Sequence, residues 1–186
     1  LVAEKGVQEL LQAVHIVAQH VPDVRVLIIG PLEYGKPDAL VPEDICSALS
    51  QEICIFTGLR QDMPELYALM DVFVLPSHRE GLPVSPMEAA AMGVPCILTD
   101  IRGCREVVVH GRNGLLVPLE NVDAIANAIL LLLINQTVAR YMGNEGRRLA
   151  EERYDQRIVF EKVLAEYKRL LFQKSLATDE TFEQEK

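Results

Sequence analysis

The stretch MDVFVLPSHREGLPVSPMEAAAMGVPCILTD, residues 70–100, decides the fold of this chain. Residues 72–75 and 96–98 are short aliphatic runs, typical of strands that are buried on both faces. Between them, residues 86–92 have the composition of a helix, and the Gly-Val-Pro that follows is a helix stop. The stretch therefore predicts a strand, a loop, a helix and a second strand.

The same alternation continues on both sides of this stretch. Apolar residues recur every three or four positions from Val7 to about His20, which predicts a helix. Further short strands are predicted over residues 24–29, 53–56 and 115–117. Further helices are predicted over residues 43–49, 64–70, 102–109, 122–134, 137–152 and 156–172, with Asn121 and Asp155 as caps. Buried strands that alternate with helices predict an α/β fold: a Rossmann-like, doubly wound parallel sheet with helices on both faces and extra C-terminal helices.

The two ends of the chain differ from its middle. Leu1 and Val2, directly before AEKG, look like the end of a strand that leads into the first helix, which suggests a fragment of a longer polypeptide. The tail QKSLATDETFEQEK, residues 173–186, is acidic and poor in apolar residues, so we expect it to be disordered. Residues 1–172 are therefore expected to form one domain.

The net charge, the apolar runs and the cysteines of the chain argue against a nucleic-acid-binding, membrane-spanning or metal-binding protein. Eighteen Lys and Arg against 27 Asp and Glu give a net charge of −9, which disfavours nucleic acid as a partner. The longest apolar run, residues 128–134, is too short to span a membrane. The four cysteines form no CxxC pair and are not grouped with the histidines, so we expect no metal site and a reducing, cytoplasmic environment.

The loop and helix within residues 76–95 place Glu80 and Glu88 on either side of a Gly/Pro loop. This arrangement resembles the glutamate-x7-glutamate motif of retaining glycosyltransferases of family 4, in the donor-binding, C-terminal half of the GT-B fold. The stretches LVAEKGVQELLQA (residues 1–13), GLRQDMPELYALMDVFVLPS (residues 58–77) and TDIRGCREVVVHGRNGLLVP (residues 99–118) extend the resemblance through Phe172.

The resemblance implies roles for individual residues. Lys5 matches the lysine that contacts the donor diphosphate, and Glu80 matches the glutamate that lies against the donor sugar; these are the predicted catalytic residues. Glu88 matches the glutamate that accepts hydrogen bonds from the ribose hydroxyls. The remaining predicted donor-binding residues are Gly81, Leu82, Val84, Gly58 and Arg60. No metal or other cofactor is implied, because this fold usually transfers sugars without a divalent ion.

The predicted function is therefore the donor half of a retaining glycosyltransferase that binds a nucleotide-diphosphate sugar. The resemblance implies a bacterial surface-glycan or lipid-linked acceptor, bound by an N-terminal domain at the inner face of the cytoplasmic membrane. The chain alone is expected to be inactive, since transfer needs both halves. A nucleotide-sugar epimerase and a non-catalytic assembly module are the alternatives. A dehydrogenase is disfavoured, because no GxGxxG follows the first strand.

Two features of the sequence argue against assigning the functions of the family's residues directly to the matching residues of this chain. Ser85 to Glu88 also fit a capping box, in which Glu88 reaches back to a backbone N–H instead of binding a ribose. Pro83 and Cys104 stand where the family often has glycine, which removes backbone contacts that the resemblance would otherwise supply.

Overall fold

The computed structural model describes residues 2–31 and 53–183, with side chains to residue 174. After a short 3-10 helix at Ala3–Lys5, its elements are α1 (Val7–Ala18), β1 (Val26–Ile29), β2 (Cys54–Gly58), α2 (Met63–Ala68), β3 (Phe73–Leu75), α3 (Ser85–Ala91), β4 (Cys96–Thr99), α4 (Arg102–Arg105), β5 (Gly114–Val117), α5 (Val122–Ile134), α6 (Gln136–Arg153) and α7 (Gln156–Glu183). The predicted alternation of strands and helices is confirmed. The helix predicted over residues 43–49 lies outside the described residues.

All strand pairings in the described residues are parallel, as the sequence predicts. β1 pairs with β2, and β4 pairs with β3 on one side and β5 on the other. The single continuous sheet that was expected is therefore observed as a two-stranded and a three-stranded sheet. β1 and β3 are not paired with each other, and both line one cavity.

The core lies where helices cover these strands. All four residues of β4 are buried, as expected for a parallel strand covered on both faces. α1 and α5 belong to one hydrophobic cluster, to which α1 contributes a face spaced at three and four residues. The buried members of that face are Val7, Leu10, Leu11, Val14 and Val17.

The predicted helix caps are present. The Asn121 side chain accepts a hydrogen bond from the backbone N–H of Ala124 at 2.9 Å, and it begins α5. The Asp155 carboxylate accepts one from the backbone N–H of Arg157 at 2.9 Å, which caps α7 in the same way. One predicted helix is shorter than expected, because α4 ends at Arg105 rather than near residue 109.

The chain divides into two compact units, Leu1–Arg148 and Leu149–Lys186. The first unit holds every strand of the described residues, and the second holds α7, whose apolar side chains from Val159 to Phe172 are exposed. The backbone of α7 continues to Glu183, whereas the sequence led us to expect disorder from residue 173. This segment has no Gly or Pro to end the helix, so its polar composition alone does not interrupt it.

A test of length and apolarity finds no single helix within the described residues that could cross a bilayer; α5 and the helices after it pass only as a bent pair.

Candidate functional site

A cavity of about 950 Å³ extends along β1 and β3, from residues before these strands, such as Asp23 and Asp71, to residues after them. Gly30, Leu59 and Pro76, which directly follow the carboxyl ends of β1, β2 and β3, line one end of it. This end of parallel strands is where open α/β sheets bind ligands. All predicted site residues except Gly58 and Gly81 also line the cavity: Lys5, Arg60, Glu80, Leu82, Val84 and Glu88. Gly58 ends β2, and Gly81 follows Glu80 in the loop after β3.

Lys5 and Glu80 form an ion pair at the cavity wall. The Lys5 ammonium donates to Glu80 Oε1 at 2.7 Å, and the Lys5 side chain is 44% exposed while that of Glu80 is 11% exposed. The pair therefore combines a cation that can reach a ligand with a carboxylate that the protein largely encloses. A charge-assisted hydrogen bond of this length fixes the position of both groups.

The chain segment around Lys5 is joined to the loop around Glu80 by further contacts. The backbone N–H of His78 donates to the carbonyl of Glu4 at 2.8 Å, and the Glu4 carboxylate pairs with Arg79 at 2.8 Å. The Glu9 carboxylate accepts from His78 Nε2 at 2.7 Å. We call residues 4–9 and 76–80 together the paired segments. His78, which the sequence reading treated as structural, is thus one of the residues that hold them together.

Glu88 does not form the capping box that its sequence context permits. α3 begins at Ser85 with Val84 as N-cap and no side-chain cap, so Glu88 lies one position too far along the helix to reach back. Its carboxylate instead accepts a hydrogen bond from the Tyr67 hydroxyl at 2.9 Å. The capping alternative is therefore wrong, and Glu88 remains a cavity-lining carboxylate.

Arg60 lines the cavity, but its guanidinium already has an anion. Arg60 Nε donates to Asp62 Oδ1 at 2.8 Å, and the second nitrogen of the fork donates to Asp62 Oδ2. This contact is also what lowers the pKa of Asp62. A phosphate at Arg60 would therefore compete with Asp62, as a phosphate at Lys5 would compete with Glu80.

Gly103 allows α4 to approach the loop that carries Glu80. A Cβ at this position would lie 2.4 Å from the carbonyl oxygen of Glu80 and 2.5 Å from that of Gly81. Both contacts are to backbone, which cannot rotate away as a flexible side chain can. The absence of a side chain at Gly103 therefore sets the position of Glu80.

We expect Gly103→Ala to lower the free energy of unfolding by about 1–3 kcal/mol, because the loop or the helix must shift to accept the methyl group. Denaturant unfolding of the variant measures this loss. Gly81→Ala is the stability control, since its added Cβ meets nothing within 4 Å. Equal stability of the Gly103→Ala variant and the parent chain would contradict this close approach.

A nucleophilic cysteine and a metal-binding cluster are the two other kinds of reactive group to consider near the site. Cys104 is buried, and burial first, then the negative charge of Glu80, raises the pKa of its thiol to about 11. Since the thiolate is the nucleophile, Cys104 is an inert core residue at neutral pH. Within residues 2–31 and 53–183, no group of three His, Cys, Asp or Glu side chains is arranged to hold a metal ion.

Sequence reasoning missed Tyr67 and Gly6. Tyr67 lies at helical spacing among apolar residues, so its pattern indicated only a core aromatic. Gly6 carried a readable signal, because a glycine directly before a periodic apolar helix often adopts positive φ, and its φ is +70°.

Comparison with known proteins places these observations in a family. The model of the family "Glycosyl transferases group 1" matches residues 1–135. The capsular polysaccharide biosynthesis glycosyltransferase CapM of Staphylococcus aureus is 30% identical over 171 residues, which cover 92% of this chain and 44% of that protein. N-acetyl-alpha-D-glucosaminyl L-malate synthase of Bacillus anthracis is 27% identical over 168 residues, 90% of this chain and 42% of that protein. The chain thus spans less than half the length of these relatives.

Solved structures agree with the fold. HepE of Anabaena, in complex with UDP and glucose, superposes with a TM-score of 0.82 at 23% identity, over 91% of this chain and 46% of that one. The C-terminal domain of LpcC, a group 1 family protein of Francisella tularensis, has a TM-score of 0.71 at 24% identity, over 83% of this chain and 82% of that one. These likenesses show the predicted Rossmann-like half of a GT-B fold. With the family model matched over more than half of its residues, the chain belongs to the group 1 glycosyltransferases.

Proposed function

We propose that this chain is the donor-binding half of a retaining, family 4 glycosyltransferase, and that it holds a nucleotide-diphosphate sugar in the cavity beside Lys5. The observation that carries the proposal is the convergence of one ammonium, Lys5, and two carboxylates, Glu80 and Glu88, on a single cavity. One end of the cavity lies at the carboxyl ends of the strands, where this class of fold binds nucleotides.

Each group has a chemical role in this proposal. The diphosphate gains negative charge as the glycosidic bond breaks, and the Lys5 ammonium stabilises that charge. The Glu88 carboxylate accepts hydrogen bonds from the ribose hydroxyls, because a carboxylate is an acceptor only. Glu80, fixed by its ion pair, lies against the donor sugar and orients it. Gly81, Leu82 and Val84 form the loop beside the sugar, and Gly58 and Arg60 lie toward the nucleoside.

Relatives support a nucleotide donor without fixing its base. The HepE structures hold UDP or UDP-glucose, and the pneumococcal transferase GtfA was solved with UDP and GlcNAc. Mannosyltransferases of Mycobacterium tuberculosis, 32% identical over 165 residues, are named as GDP-mannose-dependent. The proposal for this chain is therefore a nucleoside diphosphate, with the base left to experiment.

The proposal also covers the acceptor, the need for a metal ion and the activity of the isolated chain. The acceptor is a bacterial surface glycan or lipid-linked glycan, held by an N-terminal domain at the cytoplasmic face of the membrane. No metal ion is required, since Lys5 and the backbone dipoles meet the phosphate charge. The 186 residues alone are inactive in transfer, because the acceptor hydroxyl is not positioned and water is not excluded.

Calorimetric titration of the chain with uridine, guanosine and adenosine diphosphates and their sugars tests this proposal. We expect one of these ligands to bind saturably, and at 100 times its dissociation constant to stabilise the chain by about 2.7 kcal/mol. Glu88→Gln should weaken binding about 10-fold, because the amide offers one acceptor where the carboxylate offers two.

The matched control for Glu88→Gln is Glu65→Gln, which changes an exposed glutamate of α2 outside the cavity lining. Its affinity should equal that of the parent chain. Failure of every nucleotide to bind would reject the proposal and favour the assembly module. Conversion of a donor sugar by the chain without acceptor would instead favour an epimerase.

A further inference from the structure

We infer that Tyr67 is a positioning residue for the ligand: its hydroxyl anchors one oxygen of the Glu88 carboxylate, so that the carboxylate is oriented to receive two adjacent hydroxyls. This inference rests on the proposed function, in which Glu88 binds a ribose. It adds a residue of α2 to which the family resemblance assigned no role.

The geometry places the Tyr67 hydroxyl between the core and the cavity. Tyr67 lies on α2 and is only 2% exposed, and its ring meets Phe73 of β3 edge-on, with centroids 6.0 Å apart and planes at 61°. Burial and the contact with Phe73 leave the ring few positions. From this fixed ring the hydroxyl donates to Glu88 Oε2 at 2.9 Å.

The direction of this hydrogen bond is set by chemistry. An ionised carboxylate only accepts, so the Tyr67 hydroxyl must be the donor. Burial, followed by the hydrogen bond and the charge of Glu88, raises the pKa of Tyr67. The phenol therefore keeps its proton throughout the neutral range and can donate to Glu88.

The contact matters for binding because Glu88 is otherwise poorly restrained. Its residue is exposed on α3, where a long side chain samples several rotamers in water. Anchoring Oε2 fixes the plane of the carboxylate before a ligand arrives. Each carboxylate oxygen can accept two hydrogen bonds, so Oε2 can bind Tyr67 and one ligand hydroxyl while Oε1 takes the neighbouring hydroxyl.

An oriented carboxylate should strengthen the binding of a ligand with two adjacent hydroxyls, such as the ribose of a ribonucleotide. A 2′-deoxyribose offers only one, and a freely rotating carboxylate can follow a single hydroxyl as well as a fixed one can. Tyr67 should therefore contribute to the preference for ribose over deoxyribose, which a residue that only packs the core would not do.

The first experiment compares Tyr67→Phe with the parent chain of 186 residues. The probes are the nucleoside diphosphate that the parent binds best among uridine, guanosine and adenosine diphosphates, and its 2′-deoxy form. We expect the dissociation constant for the ribonucleotide to rise about 3- to 10-fold, and that for the deoxy form to change less than about 2-fold. Tyr141→Phe, at a 55% exposed tyrosine, is the matched control and should change neither constant.

Two results of this titration would overturn the inference. Equal loss of affinity for both nucleotides would assign Tyr67 a purely structural role, and unchanged affinity for both would assign it none. The double variant Tyr67→Phe with Glu88→Gln separates these cases further. If Tyr67 acts through Glu88, the phenylalanine substitution should have less effect once Glu88 is a glutamine.

A second readout needs no nucleotide, so it distinguishes failure of this inference from failure of the proposed function. Side-chain NMR relaxation of Glu88 in the unliganded chain should show a lower order parameter in Tyr67→Phe than in the parent. An unchanged order parameter rejects the anchor itself. A lowered order parameter, together with a parent chain that binds no nucleoside diphosphate, rejects the proposed function and with it the use assigned to the anchor.

Discussion

Gly6→Ala is expected to lower the free energy of unfolding by about 3 kcal/mol or more, since it combines backbone strain with overpacking. Gly6 has φ +70°, a conformation that favours glycine, and it is the N-cap of α1. A Cβ there would lie 2.1 Å from the carbonyl oxygen of Pro76 and 2.8 Å from its carbonyl carbon. Urea unfolding of the variant and the parent measures the loss.

A second glycine separates the two causes. Gly111 has φ +77°, but a Cβ at that position meets nothing within 4 Å. Gly111→Ala therefore carries only the strain of positive φ, and we expect it to cost about 1 kcal/mol. Equal losses at the two positions would contradict a tight contact between Gly6 and Pro76.

Lys5→Met should weaken the binding of a nucleoside diphosphate about 10- to 100-fold, which corresponds to one hydrogen-bonded charge on the phosphates. Stability should also fall, because the substitution leaves the Glu80 carboxylate, which is only 11% exposed, without this ion pair. Isothermal titration with the nucleoside diphosphate and with the corresponding nucleoside alone gives the required comparison. The nucleoside should bind the variant and the parent alike.

Lys168→Met, which removes a lysine from α7, is the control for the change in net charge. Its affinity for the diphosphate should equal that of the parent. If Lys5→Met and the parent bound the diphosphate with the same constant, Lys5 would not be the phosphate cation, and Arg60 would be the next residue to test.

The strands and most helices could be predicted because their patterns are local. The composition of residues 72–75 and 96–98 predicts two strands, of which β4 is fully buried as expected and β3 is only half-buried. Asn121 predicts the start of α5 by its capping chemistry. The start of α3 differs from the sequence pattern, which fits Ser85 as N-cap and Pro86 at the first helical position. The structure has Val84 as N-cap, and proline is tolerated at either of the first two positions.

The candidate site depends on contacts between distant parts of the chain. Lys5 and Glu80 are 75 residues apart, and only the family resemblance suggested that they lie together. Local patterns also did not reveal that Tyr67 would direct its hydroxyl to Glu88, since an aromatic residue at helical spacing is usually core. The division of the strands into two sheets depends on which edges pair, and apolar composition does not encode that choice.

The paired segments hold Lys5 beside an anion before any ligand binds. Glu4, Lys5 and Glu9 are held to the loop that ends at Glu80 by backbone and side-chain contacts. A phosphate that binds Lys5 must therefore compete with Glu80. The measured affinity is then the difference between the attraction of Lys5 to the phosphate and its attraction to Glu80.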